Sequence, residues 1–401
     1  MKKSGLIYLT ILHICFKINT INRNLKDLMQ LECLVKKNGV NGKDMNRWFI
    51  SMVSDGNYLY WVTELRGHIL KMKIEDLTVE YITPLGDCND YNRAAILCIN
   101  DNKIYYVVEG GEQLIIYDMI NNTTKKFVIK CGDMYLNMFS YANIINNILV
   151  IIPMYAPSVV NINIKNGVVD RKLFKNYKSE DMKHYYTNCI VNKDESIIDI
   201  VNIRNHEYLT YSVSDEELRG DFKISLDVKD IVSIEKDTEK IYILDNQNNV
   251  YQYNKNTCQR IFRIDDSKDG YFVLHRANDF LWIMPLYGND IYKYDIKTEQ
   301  IVKFDRYPSD YIYNAPKTMG KFSSKCSVKG KTYFTMHAGT YIFCVDDLTG
   351  EGEFLDVKWP GWKEEAEEVI YKKMKMIYEM DLSFESFLKY GIRYGFETFL
   401  K

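Results

Sequence analysis

Catalytic signatures, paired cysteines, charge of one sign and long apolar runs are all missing from this 401-residue chain. Its nine cysteines are dispersed, with no CxxC and no Cys/His cluster; the nearest pair is Cys88 and Cys98. That pattern excludes a disulfide framework and a cysteine metal site, and it fits thiols of a reducing compartment, so a cytoplasmic location is expected. The 52 basic and 54 acidic residues nearly cancel, which leaves no nucleic-acid or membrane-surface footprint. The apolar run from Leu6 to Phe16 is too short to span a bilayer. It contains His13, is followed by Lys17 and lacks a small-residue cleavage site before Asn22, which argues against a signal peptide. There is no HExxH or His-x-His, and no serine or cysteine stands in a nucleophile elbow. Gly110-Gly111 lacks the strand-to-helix setting of a phosphate loop and reads as a hairpin turn. No metal and no cofactor is expected.

What the chain has instead is tyrosine, 32 of them, a residue that joins strand-forming bulk to a hydroxyl able to stay wet. The stretch Asp279 to Asp305 shows how it is used. Phe280 to Pro285 is apolar and aromatic, Leu286 to Asp290 turns, Ile291, Tyr292 and Tyr294 return, and Gln300 to Phe304 closes the meander. Ile, Tyr, Trp and Val suit a pleated, half-buried surface, and Gly, Asn and Asp tolerate the positive φ of tight hairpins. The unit recurs when the chain is aligned on Met72, Tyr117, Ile162, Tyr211, Tyr253, Tyr294 and Val345, at intervals of 45, 45, 49, 42, 41 and 51 residues. That period is the one expected of four-stranded blades. Repeats four and five match least well. The expected fold is all-β, a seven-bladed β-propeller (six or eight blades being allowed), with a C-terminal helical hairpin.

Some units resemble known repeats. Tyr58-Leu59-Tyr60-Trp61-Val62-Thr63, followed by Ile69 to Ile74, resembles the YWTD-type propeller unit of low-density lipoprotein receptors, with Glu64 in place of the motif's aspartate. Asp290 to Thr298 is similar to the strand-and-turn of kelch-like and pyrroloquinoline-quinone-type propellers, although kelch glycine doublets and a recurring Trp-Asp are missing. The resemblance implies the architecture of about 310 residues and carries no function with it.

Residues 1–46 lie outside the repeat and read as an extension, partly helical, with a downstream start at Met29 or Met45 as another reading. Residues 47–358 are the propeller, and 359–401 a helical segment. In that segment Glu364, Glu365, Glu367 and Glu368 lead and Lys372, Lys373 and Lys375 trail, the order a helix dipole favours. Ala366, Val369, Ile370, Met374, Ile377 and Tyr378 fall on one stripe. The hairpin either packs on the propeller's side or bottom, or presents Phe384, Phe387, Tyr390, Tyr394 and Phe396 to a partner.

In propellers the loops between second and third strands and those between blades crowd the channel's upper mouth. They supply the candidate ligand-binding residues: Glu64, His68, Glu109, Glu112, Tyr155, His206, Tyr287, Asp290 and His337. First and last blades adjoin on closure, so His68 and His337 are candidates to meet near Glu64, as general base or metal ligand. Carboxylate pairs such as Glu109 with Glu112, or Asp87 with Asp90, suit glycosidic acid–base work only if they face one cleft; turns are acidic for conformational reasons first. Trp61 and Trp282 read as equivalent second-strand positions in the core between blades. The expected function is a non-catalytic scaffold binding a protein partner or small polar ligand at the channel mouth. The alternative is a carbohydrate-active hydrolase or lyase using Glu64, His68, Glu109 and Asp290.

Overall fold

The structure, a computed structural model, describes residues 49–358 apart from residue 226 and the segments 64–67, 85–93, 109–112, 129–138, 154–157, 174–185, 193–195, 203–205, 229–230, 238–239, 255–256, 265–269, 286–289, 309–321 and 337–340. The N-terminal extension and the C-terminal helical segment therefore lie outside the described residues. Seven four-stranded antiparallel sheets follow one another along the chain, each ordered as a simple meander. Blade one holds β1 (Phe49–Ser54), β2 (Tyr58–Thr63), β3 (His68–Lys73) and β4 (Val79–Pro84). Blade two holds β5 (Ala94–Asn100), β6 (Lys103–Val108), β7 (Gln113–Asp118) and β8 (Thr123–Val128). Blade three holds β9 (Phe139–Ile145), β10 (Ile148–Pro153), β11 (Ser158–Asn163) and β12 (Val169–Leu173). Blade four holds β13 (Tyr186–Asn192), β14 (Ile197–Asn202), β15 (Glu207–Ser212) and β16 (Glu217–Lys223). Blade five holds β17 (Ile231–Lys236), β18 (Ile241–Asp245), β19 (Asn249–Asn254) and β20 (Thr257–Arg263). Blade six holds β21 (Tyr271–Ala277), β22 (Phe280–Pro285), β23 (Tyr292–Asp295) and β24 (Gln300–Lys303). Blade seven holds β25 (Phe322–Val328), β26 (Lys331–Met336), β27 (Tyr341–Asp346) and β28 (Gly352–Asp356). Repeats four and five are full blades like the rest.

The second strands show why the ring forms. In β22, Leu281 and Ile283 pack toward blade five, whereas Trp282 and Met284 pack toward blade seven. The strand is apolar on both faces because both faces of each sheet are covered by neighbours. The seven third-strand positions that define the repeat are all buried, and each seals its blade against the preceding one. Trp61 and Trp282 are both fully buried between blades, as expected, but they are not equivalent. Trp61 faces blade seven, the blade before its own, and Trp282 faces the blade after. A one-residue offset in a strand reverses the face.

The first strands of consecutive blades lie side by side around the ring, and β25 lies against β1 to close it. Serine hydroxyls stitch several of these joints. Ser51 accepts from the Leu97 amide at 3.0 Å, Ser233 from Leu274 at 3.0 Å, and Ser324 from Met52 at 3.2 Å. At the rim, the Lys358 amide donates to the Leu77 carbonyl at 2.9 Å, and the Val79 amide to the Lys358 carbonyl at 3.0 Å, tying the end of blade seven to blade one.

The turns between third and fourth strands repeat one local device. Asp118 accepts from the amides of Ile120 and Asn121, Asp295 from Lys297 and Thr298, and Asp346 from Leu348 and Thr349, all at 2.8–3.1 Å. A short carboxylate satisfies amides that a tight turn leaves without backbone partners. Those bonds hold Asp118, Asp295 and Asp346 below the ordinary carboxylate range. No helix among the described residues is long and apolar enough to cross a membrane.

Candidate functional site

A meander of four strands puts its first and third hairpins at one end of the blade and its middle loop at the other, together with the connection to the next blade. The two ends of this ring differ in chain length. The first and third hairpins are short turns, Asn100 to Lys103 and Ala277 to Phe280 among them. The connections between blades are longer: 12 residues separate Leu173 from Tyr186, and 18 separate Lys303 from Phe322. The expected site residues belong to this long-loop end.

Most of them fall outside the described residues: Glu64, Glu109, Glu112, Tyr155, Tyr287 and His337, together with Asp87 and Asp90. His68 opens β3, with its backbone opposite Pro84. Blades one and seven are neighbours, as the grouping of His68 with His337 requires.

Two candidates are fully described, and each serves its own blade. His206 has a φ of 53°, its carbonyl accepts from the Ile224 amide at 2.6 Å, and its Nδ1 lies 3.3 Å from the Ser225 carbonyl. It pins the middle loop of blade four to the chain leaving that blade. Asp290 meets Lys303 Nζ at 2.6 Å, joining the third and fourth strands of blade six at that end. Beside it, the Ile291 amide donates to the Tyr307 hydroxyl at 2.9 Å; burial pushes that phenol up to about 12. The middle loop of blade five is held by Asp245, buried completely, which accepts from the amides of Gln247 and Asn249 and from the Asn249 side chain.

A second polar cluster lies on the first strands of blades five to seven. Lys325, on β25, sends its ammonium past blade six, where it donates to the Leu274 carbonyl at 3.1 Å, and pairs with Glu235 on β17 of blade five. Burial draws that ammonium down to about 7, with the Asp347 carboxylate pulling the other way. The Glu235 contact also favours the charged form, and Lys325 keeps a third of its side chain wet. His275, on β21, sets Nε2 2.8 Å from Asp347 Oδ1 in the third hairpin of blade seven. Asp347 also accepts from the Thr332 hydroxyl at 2.9 Å. Next in the strand, Arg276 pairs with Asp237 at 2.9 Å.

An imidazole oriented by a carboxylate is a general-base arrangement in form. Here the ring is 5% exposed, Phe334 stands edge-on at 5.3 Å, and Nδ1 has no hydrogen-bond partner among the described residues. Its contacts are those of a staple between two blades. Sequence reasoning passed over Glu235, His275, Lys325 and Asp347. The signal was present: Glu235, His275, Arg276 and Lys325 are charged or titratable residues inside the first strands, Lys325 among the serines of β25. Among the described residues, no group of three His, Cys, Asp or Glu side chains is arranged to hold a metal ion.

No protein-family model and no curated protein sequence matches the chain. Solved structures do, and they are propeller proteins. Catalytically inactive virginiamycin B lyase from Staphylococcus aureus, with quinupristin, matches with a TM-score of 0.56 at 13% identity, over 73% of this chain and 93% of that one. A streptogramin B lyase matches at 0.55 and 9% identity, over 73% and 92%. The Swd1 propeller domain of Myceliophthora thermophila matches at 0.53 and 9% identity, over 77% and 97%. At such identities the likeness is one of fold, and it places this chain among seven-bladed β-propellers.

Proposed function

We propose that the chain is a non-catalytic scaffold whose long-loop end binds a protein partner or small polar ligand at the mouth of the central channel. The observation that carries this reading is the asymmetry of the ring. One end is trimmed to short turns, while the other gathers the middle loops and the long connections of a rigid, closed frame. Recognition residues concentrate on loops held by such frames. The connections contribute Tyr177, Tyr185, Tyr311 and Tyr313, a residue type enriched at protein interfaces. Two solved neighbours are lyases and a third is the Swd1 propeller, so the architecture supports either chemistry or binding. The polar cluster described here is occupied with holding blades together, which favours binding.

The test compares three immobilised proteins: the native chain, a variant with residues 309–320 replaced by a short Gly-Ser linker, and Lys329→Ser on the short-turn end. A ligand retained by the first and third but lost from the second supports the reading. Retention by all three alike refutes it. Release of reducing ends from a polysaccharide panel, lost on linker replacement, would establish the hydrolase or lyase instead.

A further inference from the structure

The third hairpins of the blades are one turn written in different residues. In blades one, two, three, four, six and seven the residue just before the fourth strand stands in the left-handed region. These residues are Leu77, Asn122, Gly167, Glu216, Glu299 and Gly350, with φ of 53–73°. The amides of Leu77, Gly167 and Gly350 close their turns on the carbonyls of Lys73, Asn163 and Asp346 at 2.8–3.0 Å. Among these hairpins only that of blade three sets a side-chain amide directly before a glycine, at Asn166-Gly167. The matching pairs are Asp76-Leu77, Asn121-Asn122, Asp215-Glu216, Thr298-Glu299 and Thr349-Gly350.

That pairing sets up a reaction within the backbone. Asn166 is exposed, and its Oδ1 accepts from the Val168 amide at 3.0 Å. The bond holds the side chain folded back over its own peptide link, beside the Gly167 nitrogen. It also sets an N–H donor on the oxygen where negative charge develops when that nitrogen attacks Cγ, as an oxyanion hole does. Gly167 has no side chain to obstruct the approach, and no neighbouring group lies within 4 Å of where a Cβ would stand. In blade two the same turn is guarded. Asn121 is followed by the branched Asn122, its Nδ2 donates to Asp118 at 3.1 Å, and Asn122 Oδ1 accepts from the Tyr117 hydroxyl at 2.9 Å.

We propose that Asn166 is a site of spontaneous covalent modification, a deamidation through a cyclic imide. The Gly167 nitrogen gives up its bond to the Asn163 carbonyl and attacks Asn166 Cγ. The N–Cγ bond forms, the Cγ–Nδ2 bond breaks, and the amide proton leaves with Nδ2 as ammonia. Water then opens the imide at either carbonyl, to aspartate or to its β-linked isomer, and is the only co-reactant. Both products put a carboxylate beside the exposed Lys165. The β-linked one also adds a backbone carbon inside the loop that Asn163 and Val168 close at 2.9 Å, which loosens the hairpin. The change lies at the short-turn end and is independent of what binds at the long-loop end.

The folded full chain tests this directly. It is aged in mildly alkaline buffer and digested, and peptide mass spectrometry with electron-transfer fragmentation reads each asparagine and separates aspartate from its β-linked isomer. Asn166 is expected to convert, with Asn121 in the same turn of blade two lagging at least ~10-fold, a barrier difference of ~1.4 kcal/mol. Gly167→Ala should slow conversion by a similar factor, and Asn166→Gln, whose longer arm disfavours the ring, should abolish it; thermal unfolding confirms that both rings are folded. A parallel sample in urea reports the unfolded chain. Conversion of Asn121 as fast as Asn166 would overturn the proposal. So would an intact Asn166 in the folded chain over a time in which the urea sample converts it, because the fold would then shield the site.

Discussion

Replacing Trp282 by alanine should unfold more of this protein's stability than any other single truncation at the joint between blades six and seven. The indole has no exposed surface. Phe343 and Phe304 meet it nearly edge-on at 5.5 and 5.9 Å, and the Gly352 backbone lies against its outer edge. A buried aromatic of this size removes ~200 Å² from water, worth ~5 kcal/mol at ~25 cal/mol per Å², and its edge-to-face contacts add ~0.5–1.5 kcal/mol. Alanine keeps a little of the first, and partial collapse of the site recovers more, so the expected loss is ~3–5 kcal/mol. That is a large part of the ~5–15 kcal/mol by which a typical domain is stable. Urea denaturation followed by far-UV circular dichroism measures it, with the slope checked so that a midpoint shift can be read as stability. Trp282→Phe, which retains one aromatic edge toward Phe343, should lose about half as much. A loss below ~1 kcal/mol for alanine would refute the view that this joint is sealed by the indole.

Other outcomes follow from the same contacts. Gly352→Ala places a methyl 2.7 Å from Trp282 Cη2 and 2.8 Å from Phe343 Cζ, so it should cost ~1–3 kcal/mol in the same assay, and a neutral result would contradict the packing. Glu235→Gln leaves Lys325 without its carboxylate. The expected loss is ~1–3 kcal/mol, less than for a dry pair because Lys325 is partly wet, and Glu235→Leu with Lys325→Met should recover most of it in a double-mutant cycle. Asp118, Asp295 and Asp346 titrate below the ordinary 3.8 in the folded ring, so near that pH the unfolded chain binds more protons. Their contribution is complete about a unit above the unfolded value, from ~pH 5 upward, and declines as pH falls through 3.8 and then the lowered values. Urea midpoints should drop over that window and drop less in the triple Asn variant; an unchanged acid profile would remove these turns from the account.

The ring was legible in the sequence because its signal is local and repeated. Met72, Tyr117, Ile162, Tyr211, Tyr253, Tyr294 and Val345 mark one buried position per blade, and Asn, Asp and Gly punctuate the strands between. Period-two alternation says which residues avoid water. It does not say which neighbour they avoid it with, and that is how Trp61 and Trp282 came to look alike while facing opposite ways. Of the expected site, His206 and Asp290 are the two whose side-chain contacts are described, and those contacts lie within blade four and blade six.

By itself the sequence determined the four-strand repeat, the strand order within it and the buried position that recurs in each unit, because a sheet with two apolar faces is stable only between two others. That the ring closes at seven, with six or eight also allowed by the sequence, came from the structure. Tertiary structure alone decided that Lys325 reaches Glu235 across 90 residues, that His275 meets Asp347 across 72, and that the end of blade seven is sewn to blade one at Lys358. Those contacts depend on how far each blade is turned about the ring. That angle is set by packing summed over all seven sheets, and no short stretch of sequence encodes it.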